Sequence, residues 1–226
     1  MKKLYLISER KIRTIALFTV FLLVLVSNKT FAQTLSANCA GASTFNVNQE
    51  YISLTVLDNV VNDPSVSNCN GQTILRDGWL KFDAISSESV IRVAASSRNL
   101  MLYAYSGTCG SLTYLSCENS ITGSTAQTEK MVLPTTPGTT YYIRIGNSTN
   151  NSMTVTSLII LTNDKCSDAI TLTSNTSCVT TTGSTLGARD NNETGDCTTG
   201  TEKAVWYQFQ AVSTSHVVTV DGVSGF

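Results

Sequence analysis

The sequence is poor in charge and has a single histidine, and both shortages narrow its range of functions. Only 14% of the residues are charged, and His216 is the one histidine in 226 residues. A Ser-His-Asp or Cys-His mechanism needs an oriented imidazole, whereas His216 begins the strand-like run SHVVTV, where we expect an exposed side chain. The sequence also lacks G-x-S-x-G, H-E-x-x-H and a phosphate-cradling glycine loop. We therefore expect no catalytic residues in this chain.

The charge balance differs between the first 32 residues and the rest of the chain. Six of the 15 Lys and Arg residues but only one of the 16 Asp and Glu residues lie in 1–32, so 33–226 carries 9 basic and 15 acidic side chains, a net charge of −6. Such a surface repels a phosphate backbone. We expect no nucleic-acid partner.

The first 32 residues have the parts of a secretory signal peptide. Basic residues in 1–13 precede the uncharged run IALFTVFLLVLV (15–26), and small residues lead up to Ala32. A membrane anchor is the alternative, but this run would make roughly 18 Å of helix, too short for a hydrocarbon core of about 30 Å. We predict cleavage after Ala32, a secreted or cell-surface location and no membrane span in the mature chain.

All seven cysteines lie beyond residue 32, and the pattern C-x-x-C is absent. These features favour disulfides in an oxidising compartment over a zinc site. Cys109 and Cys117 lie eight positions apart across a glycine-led turn, and we predict that they cross-link a hairpin. Cys39 and Cys69 would then form a second pair.

The three other cysteines leave their pairing open. Cys197 would pair with Cys178 or with Cys166, because spacing alone does not fix connectivity. Since seven is an odd number, one cysteine is expected to lack a partner within this sequence.

A shift of 127 positions aligns the chain with itself. The matched pairs include Cys39 with Cys166, Trp79 with Trp206 and Phe82 with Phe209. A period this long indicates tandem domains rather than a solenoid. We predict a first copy in 33–162 and a second in 163–226. Because Phe226 aligns with Asn99, the second copy is expected to be truncated.

The first copy is predicted to contain about eight strands, because short alternating runs rich in β-branched and aromatic residues are separated by turn residues. These runs are 52–57, 78–85, 89–95, 100–105, 112–117, 129–133, 140–146 and 153–161. No amphipathic helix is evident. The pattern predicts an all-β fold, an antiparallel sandwich of the jelly-roll type, with one complete copy and a truncated second copy.

Four short motifs resemble a known class of secreted bacterial modules. They are CSDAITL (166–172), VWYQF (205–209), YSGTCGSLTYLSC (105–117) and TPGTTYYIRI (136–145). In this order they are similar to the pre-peptidase C-terminal-like β-sandwich repeats of Bacteroidetes. The resemblance implies export by the type IX secretion system and a larger protein with further domains, such as a hydrolase or an adhesin.

The family also implies a calcium site, although the sequence departs from its pattern. Relatives often carry C-x-DD after the hairpin, whereas this chain has CENS at 117–120. Asp77 and Glu118 are the candidate calcium ligands.

The aromatic residues supply the candidate ligand-binding residues. In TYYIRIG, alternation places Tyr141 in the core and Tyr142 and Arg144 on the opposite face. In LMLYAY, Tyr103 and Tyr105 share one face, where they either stack on sugar rings or cover their own sheet. The two tryptophans are predicted to fill the sandwich interior.

These observations predict a non-catalytic accessory module of a larger exported protein, which binds polysaccharide or cell-surface material or spaces other domains. The alternative is the non-catalytic N-terminal region of a secreted hydrolase, such as a peptidase, with its catalytic domain beyond Phe226.

Overall fold

The computed structural model describes residues 34–56, 68–121, 126–189 and 203–221, so the predicted signal peptide lies outside the described residues. Eleven strands occur in the described ranges. They are β1 (Ser43–Thr44), β2 (Glu50–Val56), β3 (Arg76–Asp83), β4 (Glu88–Ala95), β5 (Leu100–Thr108), β6 (Ser111–Glu118), β7 (Gln127–Pro134), β8 (Thr140–Asn147), β9 (Met153–Leu161), β10 (Ile170–Leu172) and β11 (Tyr207–Phe209).

The helical content of these ranges is limited to two 3-10 turns, Cys39–Gly41 and Cys166–Asp168. None of the helical segments described has the length and hydropathy needed to cross a bilayer.

Strands β1–β9 form two facing sheets with jelly-roll topology. Sheet A has the order β1-β3-β8-β5-β6, and sheet B has the order β2-β9-β4-β7. From β2 to β9 the chain changes sheet at every connection except the β5–β6 hairpin, which is the double Greek-key path of a jelly roll. The all-β jelly-roll sandwich predicted from the sequence is confirmed. Strand β1, which pairs with β3 in parallel, was not predicted.

The main core lies between the two sheets and follows the alternation of each strand. Tyr141, Ile143 and Ile145 of β8 are buried there, which confirms the predicted core face of that strand. Leu80 and Phe82 of β3 join them. Because side chains alternate along a strand, the residue between two inward positions must point away from the core.

Trp79 is buried, but not between the sheets as the sequence predicted. It precedes the inward-facing Leu80 and belongs to a separate apolar cluster on the other face of sheet A. Trp79 and Phe82 are three positions apart, so they lie on opposite faces of β3. Trp206 is half-buried.

The predicted disulfide partners are wrong, although the four cysteines of those pairs, Cys39, Cys69, Cys109 and Cys117, are all bonded. The pairs are Cys39–Cys109 and Cys69–Cys117, with Cα–Cα distances of 5.6 and 6.0 Å. Cys109 lies in the turn between β5 and β6, whereas Cys117 lies at the far end of β6. Six strand residues separate the turn from Cys117, or about 20 Å, and a disulfide needs Cα atoms within about 7 Å.

The cysteines beyond residue 162 are only partly described. Cys178 is exposed and forms no disulfide with a described residue. Cys197 lies outside the described residues, so its pairing with Cys178 or Cys166 stays a prediction.

Residues 163–171 and 206–209 repeat the backbone contacts of residues 36–44 and 79–82. Ile170 pairs with Tyr207 in parallel, as Ser43 pairs with Leu80. The Trp206 amide donates to the Asn163 carbonyl at 2.8 Å. In the same way, the Trp79 amide donates to the Ser36 carbonyl at 2.8 Å. Each of these contacts recurs 127 positions later. The domain bounds 33–162 and 163–226 stay a prediction.

The segment after β9 packs on the outer face of sheet B. Ala188 joins Val90, Ile159 and Leu161 in a small apolar cluster. Arg189 fixes this segment, because its Nε donates to Asp164 Oδ2 at 2.6 Å and its Nη2 pairs with Glu88 of β4.

Candidate functional site

The four residues predicted to bind a ligand come together on two neighbouring strands. Tyr103 and Tyr105 lie on β5, and Tyr142 and Arg144 lie on β8. The register pairs Tyr103 with Arg144 and Tyr105 with Tyr142. All four therefore share the face of sheet A that is turned away from sheet B.

Strand β3 places Trp79 and Asp77 beside Arg144. Trp79 is directly opposite Arg144 in the ladder, and the Arg144 Cζ lies 5.2 Å from the centroid of the Trp79 ring. Arg144 Nε donates to Asp77 Oδ2 at 2.5 Å. A buried charge is tolerated where it is paired, and the carboxylate and the ring face together hold this arginine inside an apolar cluster.

Two loop segments, residues 36–42 and 68–75, cover this face, and we call them the cover. Cys39, Cys69 and Ile74 of the cover belong to the same apolar cluster as Trp79. A glycine in β8 lets the cover approach closely, since a Cβ on Gly146 would lie 2.8 Å from Ile74 Cγ2. The Cys39–Cys109 disulfide joins the cover to the β5–β6 turn, and the Cys69–Cys117 disulfide joins it to the far end of β6.

The cover seals most of the predicted ligand-binding residues from solvent. Tyr103, Tyr105 and Arg144 are all buried. The sequence left open whether Tyr103 and Tyr105 stack on sugar rings or pack against their own sheet. Both pack against sheet A, on its outer face and beneath the cover. Among the described residues, none accepts a hydrogen bond from the buried Trp79 Nε1.

Burial sets the ionisation of the two tyrosines of β5. Desolvation raises the pKa of Tyr105 to about 12, and the neighbouring Arg144 guanidinium opposes this shift. Desolvation also raises the pKa of Tyr103, again opposed by Arg144. Both phenols are therefore neutral hydrogen-bonding groups at physiological pH.

Two tyrosines stay accessible at the margin of the cover, one on each side of the buried Tyr105. We call Tyr142, Tyr105 and Tyr114 the tyrosine row, because the register pairs Tyr142 with Tyr105 and Tyr105 with Tyr114. Tyr114 is 43% exposed and Tyr142 is half-buried. The rings of Tyr105 and Tyr114 meet edge to face, with centroids 6.0 Å apart. Sequence reasoning did not select Tyr114.

The two candidate calcium ligands do not form a described metal site. Asp77 is buried against Arg144, whereas Glu118 accepts a hydrogen bond from Ser120 Oγ. Among the described residues, no three His, Cys, Asp or Glu side chains lie together as a metal would require. The calcium site stays a prediction.

His216 is exposed, and its Nε2 faces the backbone amides of Val212 and Ser213 at 3.1 and 3.3 Å. It therefore serves as the acceptor of a local turn.

Comparison with known families decides what kind of module this is. A family model described as galactose binding domain-like and associated with the type IX secretion system matches residues 36–160 and 162–226. The chain belongs to this family. Membership confirms the resemblance to exported bacterial modules and makes the chain an accessory module of the binding type. The secretion association and the two disulfides indicate an extracellular or cell-surface location.

Two solved structures show a distant similarity to this galactose-binding-domain-like chain. One is the pre-peptidase C-terminal domain of a collagenase from Bacillus anthracis, with 12% identity, a TM-score of 0.33, and 53% of this chain and 93% of that chain covered. The other is the enzymatically active domain of tailspike protein 4 from bacteriophage CBA120, with 13% identity, a TM-score of 0.29, and 49% and 18% coverage. A comparison with curated proteins found no significant match.

Proposed function

We propose that this chain is a non-catalytic module of an exported protein and that it binds polysaccharide or cell-surface glycan through the tyrosine row. The observation that carries the proposal is the accessibility of Tyr114 and Tyr142 beside a sheet face that is otherwise sealed by the cover. The described residues offer no comparable constellation for catalysis.

The chemistry of the tyrosine row suits a sugar ring. A tyrosine presents a flat apolar face and a polar hydroxyl, which match the C–H face and the equatorial hydroxyls of a pyranose. Strand pairing and the edge-to-face contact of Tyr105 with Tyr114 hold the rings in place. A preformed platform loses little conformational entropy when a ligand binds.

Polar groups at the same margin extend the platform. Lys81 is opposite Tyr142 in the β3–β8 ladder and is partly exposed. Its ammonium donates to hydroxyl or carboxylate oxygens of a glycan laid across the rings. The net charge of −6 on residues 33–226 favours neutral over strongly acidic polymers.

Binding of residues 33–226 to a broad glycan array and to insoluble polysaccharides tests the proposal. We expect Tyr142→Ala and Tyr114→Ala each to weaken binding about ten-fold, equivalent to roughly 1.4 kcal/mol. Tyr142→Phe and Tyr114→Phe keep the ring and should retain most of the affinity. Ile52→Ala, an exposed position on sheet B, is the matched control and should bind normally. A blank array, or undiminished binding by both alanine variants, would refute glycan recognition.

We further propose that the module is carried by a larger exported protein. Its family is associated with a secretion system, and this association supports the proposal. An antibody against the purified chain should detect, in a culture of the source bacterium, a band well above the 24.3 kDa of this sequence. A major band at or below that mass would contradict the proposal. Hydrolase activity co-purifying with a larger band would favour the peptidase-like alternative.

A further inference from the structure

One end of the outer face of sheet A carries charged and hydroxyl side chains beside Tyr142. In the β3–β8 ladder Lys81 is opposite Tyr142, and the next outward pair along the strands is Asp83 opposite Thr140. All four lie on the face of the tyrosine row, because the residues between them on each strand are in the core. Asp83 is exposed, and the other three are partly exposed. The group is therefore accessible to a ligand.

The Asp83 carboxylate is held in place and keeps acceptor capacity. Thr140 Oγ1 donates to Asp83 Oδ1 at 2.6 Å, the short distance of a charge-assisted O–H···O⁻ bond. A carboxylate has about four lone-pair sites, and among the described residues only Thr140 donates a hydrogen bond to this one. Asp83 Oδ2 and part of Oδ1 are thus available to the hydroxyl protons of a ligand.

Lys81 supplies the complementary donor. Its ammonium offers three protons and no acceptor. Lys81 and Asp83 are two positions apart on one face of β3, about 7 Å along the strand. None of the ion pairs between described residues involves either of them. The cation and the anion therefore face solvent side by side, and both remain available to a ligand.

Tyr142 adds an apolar surface to these polar groups. Diagonal neighbours on paired strands, such as Tyr142 and Asp83, are about 7–8 Å apart, which leaves room for a sugar ring between the tyrosine and the carboxylate. A pyranose hydroxyl both donates and accepts, so adjacent hydroxyls meet the carboxylate and the ammonium together while the C–H face contacts the tyrosine. An acidic sugar would bring a second anion close to Asp83, which is unfavourable.

We propose that Lys81, Asp83 and Thr140 form a diol site, which recognises two adjacent free hydroxyls of a neutral pyranose stacked on Tyr142. This inference rests on the proposed function, since it assigns the specificity of the same glycan-binding surface. Asp83 accepts from the two hydroxyls, Lys81 donates to one of their oxygens, and Thr140 orients the carboxylate. The ligand class is a neutral polysaccharide with unsubstituted adjacent hydroxyls, and O-methylated or acidic polymers bind more weakly.

Binding of residues 33–226 to laminarin, xylan and galactan, each unmodified and O-methylated, tests the diol site. We expect the wild type to bind at least one unmodified polymer, and its O-methylated form about ten-fold more weakly, because hydrogen bonds to a charged group are lost. Asp83→Asn keeps the size of the side chain but removes its charge. It should weaken binding to the unmodified polymer about ten-fold and reduce the preference over the O-methylated form to about two-fold.

Two further variants separate the site from general effects of charge and folding. Glu50→Gln is the matched control, because the Glu50 carboxylate on sheet B also accepts a hydroxyl bond, from Ser157 Oγ at 2.8 Å. It should bind as the wild type does. Thr140→Val leaves the Asp83 charge in place but removes the bond that orients it, and should weaken binding about three-fold.

The outcomes distinguish this inference from the proposed function. Binding that Tyr142→Ala weakens but Asp83→Asn leaves unchanged would overturn the diol site and leave glycan recognition intact. An equal preference for unmodified polymer in the wild type and in Asp83→Asn would also overturn it, since the carboxylate would not contact the hydroxyls. Tighter binding of the wild type to polygalacturonate than to the neutral polymers would contradict the ligand class. A wild type that binds no glycan at all would refute both proposals.

Discussion

Arg144 lies over the indole of Trp79, with its Cζ 5.2 Å from the ring centroid, and both side chains are almost completely buried. The same guanidinium is paired with the buried Asp77 carboxylate. An arginine on an outer sheet face is ordinarily exposed, and here the cover encloses it. Its contacts therefore join β8 to β3 beneath the cover, and they can be tested by substitution.

Replacing Arg144 with methionine should destabilise the fold. Methionine fills much of the same space but removes the guanidinium that contacts the buried Asp77 carboxylate. Removing one partner of a buried ion pair typically lowers the free energy of unfolding by about 3–5 kcal/mol. Urea denaturation followed by circular dichroism measures the change.

The double variant Arg144→Met/Asp77→Asn is the control for that measurement. Because neither charge is then buried, we expect it to be more stable than Arg144→Met alone. If the double variant loses as much stability as Arg144→Met and Asp77→Asn lose in sum, the ion pair does not account for the effect.

Removing the Cys69–Cys117 disulfide should destabilise the chain through its unfolded state. The two cysteines are 48 positions apart. A loop of this length corresponds to about 4 kcal/mol of chain entropy, and Cys69→Ala/Cys117→Ala should lose up to that amount. Urea denaturation at fixed pH gives the value. Peptide mapping without reductant should recover Cys39 with Cys109 and Cys69 with Cys117, and a Cys109–Cys117 peptide would contradict the structure.

Glu129 on β7 should make stability depend on pH in the acid range. Its carboxylate is buried and accepts hydrogen bonds from the amides of Ser120 and Ile121, and desolvation raises its pKa above the value of 4.5 found in an unfolded chain. The folded state therefore holds the proton more tightly, and this contribution to stability is complete below pH 4.5 and lost as the pH rises through the folded pKa.

The comparison of wild type with Glu129→Gln isolates this effect. Melting temperatures of both proteins are measured from pH 4 to pH 8, an interval that spans the expected titration. The melting temperature of the wild type should rise relative to that of Glu129→Gln as the pH falls. A constant difference across the range would show that Glu129 does not titrate differently in the two states.

Tyr105 should contribute to the loss of folding stability at alkaline pH. Burial raises its pKa from 10.0 to about 12, so the unfolded chain loses this proton before the folded chain does. Stability should therefore fall as the pH rises from 10 towards 12. Phenolate absorbance should show late-titrating tyrosines, and Tyr105→Phe should remove one of them. An unchanged titration curve in that variant would contradict the assignment.

Strands β2–β9 could be predicted from the sequence because their signal is local. Alternation and β-branched residues identified β2–β9 within a few residues of the observed bounds, and alternation alone placed Tyr141, Ile143 and Ile145 in the core. Strand β1 was missed, since two residues carry too little pattern.

The position of Trp79 and the disulfide partners depend on contacts between distant segments. Alternation places Trp79 and Leu80 on opposite faces of β3. Only the cover explains why a tryptophan on the outer face is buried. Cys109 falls in the turn itself, whereas Cys117 lies at the far end of β6. Spacing therefore predicted a pair that the hairpin register forbids.

Tyr114 was missed for a different reason. The register of β5 and β6 shifts between Ala104 and Tyr105, so that Tyr105 is opposite Tyr114 while Ala104 is opposite Ser116. This bulge brings Tyr114 and Cys117, three positions apart, onto the same side of the sheet. Simple alternation assigns them to opposite sides.

The disulfides interleave along the chain, because Cys69 lies between Cys39 and Cys109 while Cys117 lies beyond both. Wherever a protease cuts the backbone once between Cys39 and Cys117, the two fragments stay covalently joined. Outside the cell, where secreted proteases are present, a molecule cut once in this way would keep its two fragments together.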